Sequence, residues 1–488
     1  MYILMASVEC APVAKVGGLG DFVQGLARAL LQLGQRVEVV LPYYDCLRRE
    51  GIQSLERAPG DLRVPFFDQD LPCAVLRGRV EGIDCWFLDP RSPQGFFQRG
   101  RIYGEPDDPA RFTFFVQALL EFLLQTDRHP DLIHCHDWHT GLLPVLLTER
   151  YQARGLDQTR VCYTLHNLGF QGWVNDQVLF QAGLDPQRFR TPERLQDPRQ
   201  PQALNLMKGG IVYADRVTTV SPRYAWEVQY SAQGQGLQEC LRQYDHKFSG
   251  ILNGIDYGVW NPRTDPLIPR HYGPDSLPDK ALNKLALRRR LGLAGGHKPL
   301  LAMVSRLDAQ KGVELMRHAV LWGLTAGAQV VLLGSAQDPA LAAYFRVLKR
   351  ETDPHPDAHL ELGYDEGLAH LIYAAADLMV IPSHYEPCGL TQMIAMRYGT
   401  LPLVRQVGGL ADTVFDAHES DKPFGERNGF VFAAPDPRAL EAALERALGL
   451  WAEYPEYFRQ LRLNGMASDH SWARPGRQYL DLYESIAV

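Results

Sequence analysis

Two cations stand five residues apart in Ser305-Arg306-Leu307-Asp308-Ala309-Gln310-Lys311-Gly312, just after the apolar run PLLAMV. Arg offers a fork of donors and Lys a compact point charge, so such a pair at a strand end could clamp a diphosphate. A solvated surface loop would use the same two residues. A second segment, PSHYEPCGLTQ, places Glu386 after the apolar run ADLMVIP. A helix opening near Gly389 would aim the N–H groups of Gly389, Leu390 and Thr391 at an anion. Gly408-Gly409-Leu410-Ala411-Asp412 makes a further glycine-rich strand-to-helix turn. Near the N-terminus, Lys15-Val16-Gly17-Gly18-Leu19-Gly20-Asp21 lets a ligand approach the backbone closely, or serves only as a tight turn. It is no dinucleotide fingerprint, because Val23 stands where the third Gly would be, and no P-loop, because no Gly-Lys-Ser/Thr follows.

Two polar clusters end other apolar runs. His134-Cys135-His136-Asp137-Trp138-His139 invites a metal reading, but a binuclear hydrolase signature needs Asp at 138, where Trp138 stands. A sugar-binding edge suits it better, since Trp and His stack on sugars and hydrogen-bond hydroxyls. Alternation along a strand puts His134 on the same face as His136 but deeper, as a structural histidine. Thr164-Leu165-His166-Asn167-Leu168-Gly169 sets His166 at a strand's carboxyl end, where ligands of parallel α/β sheets bind.

The elements that must position these residues follow from short apolar runs alternating with helix-like stretches. YILMASVE precedes a helical stretch at Phe22–Leu33, then come RVEVVLP, DLIHCHDW, RVCYTLHN, ADRVTTVS, PLLAMVSRL, AQVVLLG and ADLMVIPS. Continuous apolar strands between helices predict parallel sheets covered on both faces, hence two doubly wound, Rossmann-like α/β domains. The 488 residues exceed the about 250–300 that one core usually serves. Gly, Asn and Pro in FSGILNGIDYGVWNPRTDP mark a break near residue 250, and Thr264–Lys280 reads as a Pro- and Asp-rich loop. A last helix is expected after Pro475.

Composition sets the outer bounds. Lys+Arg total 50 against Asp+Glu 57, a net charge of -7, which argues against a nucleic-acid binder but not against a small anionic substrate. Only nine of the basic residues are Lys, so Lys15 and Lys311 merit individual reading. The eight Cys include no CxxC pair, so no zinc ribbon or disulfide framework is expected. The apolar N-terminus lacks a basic leader and is interrupted by Glu9, which reads as a buried strand, not a signal peptide. No apolar run approaches the ~18–20 residues of a membrane span, so a cytoplasmic protein is expected.

Taken in order, KVGGLGD, HCHDWH, HNLGFQG, SRLDAQKG, YEPCGLTQ and VGGLADTV resemble bacterial glycogen synthase and plant starch synthase, from Ile3 to the final helix. The resemblance implies two domains of the glycosyltransferase B type facing across a cleft: residues 1–248 with a C-terminal helix at about 466–488 returning to them, and residues 249–465. It implies transfer of glucose from ADP-glucose to the non-reducing 4-OH of an α-1,4-glucan, glycogen or maltooligosaccharides, with retention and without a metal or other cofactor. Lys15, Gly17, Gly18 and Gly20 resemble the N-domain side of the donor site. Asp21 and Asp137 resemble residues near the transferred glucose or the acceptor. His166 resembles the residue beside the anomeric carbon. Arg306 and Lys311 resemble the pair that neutralises the diphosphate, and Glu386 the carboxylate that orients the donor glucose. Cys388, Gly389, Leu390 and Thr391 resemble donor contacts, and Tyr364 a ring stacked on the base. His139 and Tyr103 are candidates for the acceptor side. Many retaining relatives carry a second Glu that holds the ribose; Ile394 stands in its place, as in the starch and glycogen synthases. Alternatives are a retaining glucosyltransferase with a small acceptor, a non-catalytic glucan binder and, last, a metallohydrolase at His134–His139.

Overall fold

The apolar runs form strands, and helices cover both faces of the sheets, in a computed structural model that describes residues 1–92 and 94–487. The chain divides into two compact units, Met1–Gly254 with Trp472–Val488, and Ile255–Ser471.

The first unit carries β1 (Tyr2–Ala6), β2 (Arg36–Pro42), β3 (Gln53–Phe66), β4 (Gln69–Val80), β5 (Ile83–Pro90), β6 (Leu132–His136), β7 (Arg160–Leu165), β8 (Trp173–Val174), β9 (Leu204–Asn205), β10 (Arg216–Thr219) and β11 (Phe248–Gly250). Nine of them form one sheet in the order β11-β10-β7-β6-β1-β2-β5-β4-β3, and β8 pairs with β9. Neighbours from β11 to β5 are parallel. The last pairings, β5 with β4 and β4 with β3, are antiparallel. That edge departs from the purely parallel expectation. β3 is largely exposed and broken by Pro59 and Gly60, so its sequence lacks the continuous apolar run of a covered strand.

The second unit carries β12 (Leu300–Arg306), β13 (Gln329–Ser335), β14 (Ala358–Leu362), β15 (Leu378–Ile381), β16 (Leu401–Arg405) and β17 (Phe430–Phe432). They form an all-parallel sheet in the order β14-β13-β12-β15-β16-β17. Both units are thus doubly wound α/β sheets with apolar cores of their own.

The unit boundaries fall later than the sequence suggests. A cut at 248 would sever Phe248–Gly250, which pairs with β10 in the first sheet. A return at 466 would split the helix Pro455–Ala467, whose Phe458 and Leu461 belong to the second core. The segment Thr264–Lys280 is no free loop. Asp265 is buried and accepts hydrogen bonds from Tyr398 Oη at 2.6 Å and Leu267 N at 2.9 Å, with His370 Nδ1 at 2.8 Å.

The C-terminal helix, Ala473–Glu484, packs on the first helix, Gly18–Gln32, with Pro475 inside its first turn, where no intrahelical N–H is lost. Small residues allow the approach: a Cβ on Gly25 would lie 2.0 Å from Trp472 Nε1, and one on Gly476 2.7 Å from Ala29 Cβ. All eight Cys are free thiols, and all but Cys46 are buried. Among the described residues, no helix is long and apolar enough to cross a membrane.

Candidate active-site residues

β1 lies between β2 and β6, so the winding of the first sheet reverses there and a crevice opens at the carboxyl ends of β1 and β6. The chain leaves β1 through a buried carboxylate. Glu9 is 2% exposed; its Oε2 accepts from the N–H groups of Val16 at 2.6 Å and Gly17 at 3.0 Å, and its Oε1 from the Tyr103 hydroxyl at 3.0 Å. Burial pushes its carboxyl pKa up against these donors. Gly17 is the N-cap, and the helix starts at Gly18, not Phe22, so Gly18 and Gly20 sit in its first turn. A Cβ on Gly17 or Gly18 would meet nothing within 4 Å, which leaves this backbone open to a ligand. Lys15 Nζ lies 2.7 Å from Asp21 Oδ1, both side chains partly exposed.

The histidines divide into structural and candidate groups. His134 is fully buried, with Nε2 2.6 Å from Thr164 Oγ1 and Nδ1 2.7 Å from Tyr483 Oη of the last helix. Both ring nitrogens are engaged, which leaves none for a metal; among the described residues no group of three or more His, Cys, Asp or Glu could hold one. His136 Nδ1 faces His166 Nε2 at 3.4 Å. The Phe22 ring meets His134, His136 and His166 edge-on at 5.9, 5.4 and 4.7 Å. Burial holds the rings of His134 and His136 well below the ordinary imidazole pKa and brings His139 and His166 down to about 3. These four rings are therefore neutral at ordinary pH.

Asp137 adopts a left-handed φ of 52°, a conformation Asp tolerates better than most residues. Its Oδ1 accepts from His166 N at 2.7 Å and Asn167 N at 3.4 Å. Burial pushes its carboxyl up to about 7, although these N–H groups pull it down. Tyr103 and His139 are stacked, with ring centres 5.5 Å apart. The first unit thus brings together Lys15 with Asp21, Asp137 with His166, and Tyr103 with His139.

In the second sheet β12 lies between β13 and β15, so the winding reverses at β12, and the loops after β12 and β15 meet. Lys311 Nζ is 2.6 Å from Glu386 Oε2, with side-chain exposures of 15% and 8%, and Ser383 Oγ donates to the same oxygen at 2.9 Å. His384 N donates to Gln310 O at 2.8 Å, and Gln310 Nε2 to Tyr385 O at 3.2 Å. Arg405 Nη1 donates to the carbonyls of Ser383 and His384. Gly408-Gly409 is a brace for this loop: Gly409 N donates to Glu386 O at 3.1 Å. A Cβ on Gly408 would lie 1.9 Å from Glu386 O, and one on Gly409 1.9 Å from Cys388 O.

A pocket beside the ion pair is lined by Ser305, Lys311, Ser383, Glu386, Gly389, Leu390 and Thr391. The helix starts at Thr391, two residues later than expected, because Gly389 takes a left-handed φ of 71°. Cys388 is buried. Arg306 and Tyr364 do not line this pocket: Arg306 is exposed, 3.4 Å from Asp308 Oδ2, and Tyr364 is exposed after β14. Ile394 is buried on the helix Thr391–Arg397.

Sequence reasoning missed Glu9 as a site residue, and with it Ser383 and Phe22. Glu9 left a signal, since an acid inside an apolar run must find buried donors. Ser383 left none, because nothing in its neighbours announces a hydroxyl on a carboxylate.

Residues 2–243 match the family described as starch synthase catalytic domain, and residues 287–461 that of glycosyl transferases group 1. The chain is 55% identical over 486 residues to glycogen synthase 1 of Nitrosococcus oceani, covering 100% of this chain and 99% of that protein. It is 52% identical to glycogen synthase 2 of Methylococcus capsulatus, covering 98% of each. The catalytic domain of starch synthase IV from Arabidopsis thaliana, bound to ADP and acarbose, superposes with a TM-score of 0.97 at 43% identity, covering 100% of this chain and 99% of that one. Sucrose-phosphate synthase from Thermosynechococcus elongatus, at 21% identity and a TM-score of 0.60, covers 99% of this chain and 98% of its own and shares the fold.

Proposed function

The chain belongs to the glycogen synthase and starch synthase family of glycosyltransferases, and we propose that it transfers glucose from ADP-glucose to the non-reducing 4-OH of an α-1,4-glucan with retention of configuration. One observation carries this reading: a full-length match to a starch synthase catalytic domain bound to ADP and acarbose. Glycogen or maltooligosaccharides are the acceptors, and the cytoplasm is the compartment.

The donor diphosphate goes to the second unit's pocket. Lys311 supplies a cation there. Arg306, exposed at the end of β12, supplies a second from outside the pocket by leaving Asp308 for the diphosphate. The N–H groups of Gly389, Leu390 and Thr391 face the phosphates. These groups stabilise charge that grows on the leaving diphosphate, which is electrostatic catalysis. Fixed cations take the place a metal would otherwise fill, so activity undiminished by EDTA is expected. The nucleotide also meets Cys388, and its base stacks on Tyr364. Lys15 and the open backbone at Gly17–Gly20 serve the donor from the first unit.

His166 lies beside the anomeric carbon. Its ring is neutral, so its lone pair can support developing positive charge without adding a like charge. Asp21 and Asp137 contact the transferred glucose or the acceptor, with Tyr103 and His139 on the acceptor side. Glu386 orients the donor glucose, with its Oε2 held by Lys311 and Ser383. Glucose passes by a same-face, ion-pair-like displacement: the bond from the anomeric carbon to the diphosphate breaks, the acceptor 4-OH bonds to that carbon, and the leaving phosphate accepts the hydroxyl proton.

The test is a donor–acceptor matrix: ADP- and UDP-glucose against glycogen, maltooligosaccharides and monosaccharides. Fastest diphosphate release with ADP-glucose and a glucan is expected. Preference for a monosaccharide or sugar phosphate would move the chain to the small-acceptor synthases, and failure to release diphosphate with any acceptor would mark a non-catalytic glucan binder.

A further inference from the structure

Glu9 has no part in the chemistry assigned above, yet it is among the most buried acids of the first unit. Its two oxygens serve different masters. Oε2 takes the N–H groups of Val16 and Gly17, at 2.6 and 3.0 Å, and so fixes the turn between Lys15 and the helix start. Oε1 takes the Tyr103 hydroxyl at 3.0 Å, from a segment 94 residues away in sequence. Glu9 itself is set by Ser7, whose Oγ donates to Glu9 O at 2.7 Å and accepts from Glu9 N at 3.1 Å.

The Tyr103 end is equally fixed. Arg111 is fully buried and donates to Ile102 O at 3.2 Å and to Asp108 Oδ1, while Asp108 Oδ2 accepts from Gly104 N at 2.7 Å. The residues on both sides of Tyr103 are thus anchored, and its ring stacks on His139. A displacement of Tyr103 passes to the Lys15–Gly20 turn through one carboxylate.

We propose that Glu9 is a positioning residue that couples acceptor-side Tyr103 to the donor-side turn at Lys15–Gly20. This rests on the assignment of those two groups to the acceptor and the donor. An acceptor ring seated against Tyr103 holds its hydroxyl on Glu9, and Glu9 holds the turn in the shape the donor needs. Coupling of this kind requires a contiguous, rigid chain of contacts, and each link here is a hydrogen bond to the buried Glu9 carboxyl.

The test is a double-mutant cycle on the full chain: wild type, Tyr103→Phe, Glu9→Gln and the double variant. Each is measured for donor KM at saturating glycogen, for kcat, and for ADP affinity by calorimetry. Tyr103→Phe removes only the hydroxyl. It is expected to raise donor KM and weaken ADP binding by about threefold or more with Glu9 present, and to change neither once Glu9 is Gln. A role in folding alone would instead lower thermal stability and leave donor KM and ADP affinity unchanged. Equal effects of Tyr103→Phe in both backgrounds, or none on the donor in either, would overturn the coupling. If Glu9→Gln does not fold, Glu9→Asp takes its place in the cycle: its carboxylate, one methylene shorter, is expected to lose the Tyr103 hydroxyl, so that Tyr103→Phe changes neither donor KM nor ADP affinity there, and an undiminished effect would overturn the coupling. ADP affinity needs no turnover, so inactive wild-type protein would count against the synthase reading while the calorimetric arm still judges the coupling.

Discussion

Lys311 Nζ lies 2.6 Å from Glu386 Oε2 in the second unit, and both side chains are nearly buried. Two residues assigned to different parts of the donor, its diphosphate and its glucose, hold each other. The cation is thereby placed before any phosphate arrives, which is what preorganised electrostatic catalysis needs.

That pairing sets the first prediction. On the proposed assignment, Lys311→Ala removes the cation that faces the leaving diphosphate, and it strands a buried carboxylate. Activity is expected to fall by about 10²–10³ in kcat, or ~2.7–4 kcal/mol of barrier. Stability falls too, by about 3–5 kcal/mol at most, since an uncompensated buried charge is costly. The double variant Lys311→Met/Glu386→Gln should recover much of the melting temperature and none of the activity. Kinetics and thermal melts of the three proteins check this; unchanged stability in Lys311→Ala would contradict it.

Gly409 makes the second. A Cβ there would sit 1.9 Å from Cys388 O, so Gly409→Ala must push the Glu386 loop. A cost of ~1–3 kcal/mol in stability and a marked loss of kcat/KM for the donor are expected. Donor kinetics and melting of the variant decide; wild-type values for both would show that the loop yields freely.

Much of this arrangement was legible in the sequence. The apolar runs named β1, β2, β6, β7, β10, β12, β13 and β15, and the motifs at their carboxyl ends named most of the residues gathered there. What the sequence hid was partnership. Lys311 and Glu386 are far apart in the chain and meet only because β12 and β15 are neighbours. Gly408 and Gly409 read as one more helix start, and only the packing shows them against the carbonyls of Glu386 and Cys388. The β3–β4 hairpin stayed hidden for a different reason: an exposed edge needs no continuous apolar run.

Acid should destabilise the protein. Unfolded His binds a proton near pH 6.5, whereas His139 and His166 do so only near about 3, and His134 and His136 well below the ordinary value. As pH falls below about 6.5 the unfolded chain therefore binds more protons, and stability is lost toward the folded values. Asp137 works the other way: its carboxyl, up at about 7, gives a contribution present at low pH and lost as pH rises from about 4 through about 7. Burial raises Glu9 in the same sense as Asp137. The four histidines outnumber these two acids, so the melting temperature should drop between pH 6.5 and pH 4. Calorimetry across that range would contradict this with a flat or rising melting temperature.

Asp137 should also mark the rate. Its carboxyl changes charge near pH 7 beside His166, so kcat/KM should show an inflection there that is absent from Asp137→Asn. His166 stays neutral throughout and should add no inflection of its own. An identical profile in both proteins would remove Asp137 from the reacting groups.

Retention by same-face displacement predicts that no glucose becomes attached to the protein. Mass spectrometry of enzyme quenched during turnover should find Glu386 and Asp137 unmodified. A glucosyl ester on either would establish a double displacement instead.

The most direct measurement is incorporation of labelled glucose from ADP-glucose into glycogen, with the anomeric configuration of the new linkage read by NMR. Label in α-1,4 linkage at the non-reducing ends, with stoichiometric ADP release that falls by about 10²–10³ in Lys311→Ala, is the predicted result. No incorporation by the wild-type protein, β-linked product, or full activity in Lys311→Ala would contradict the account.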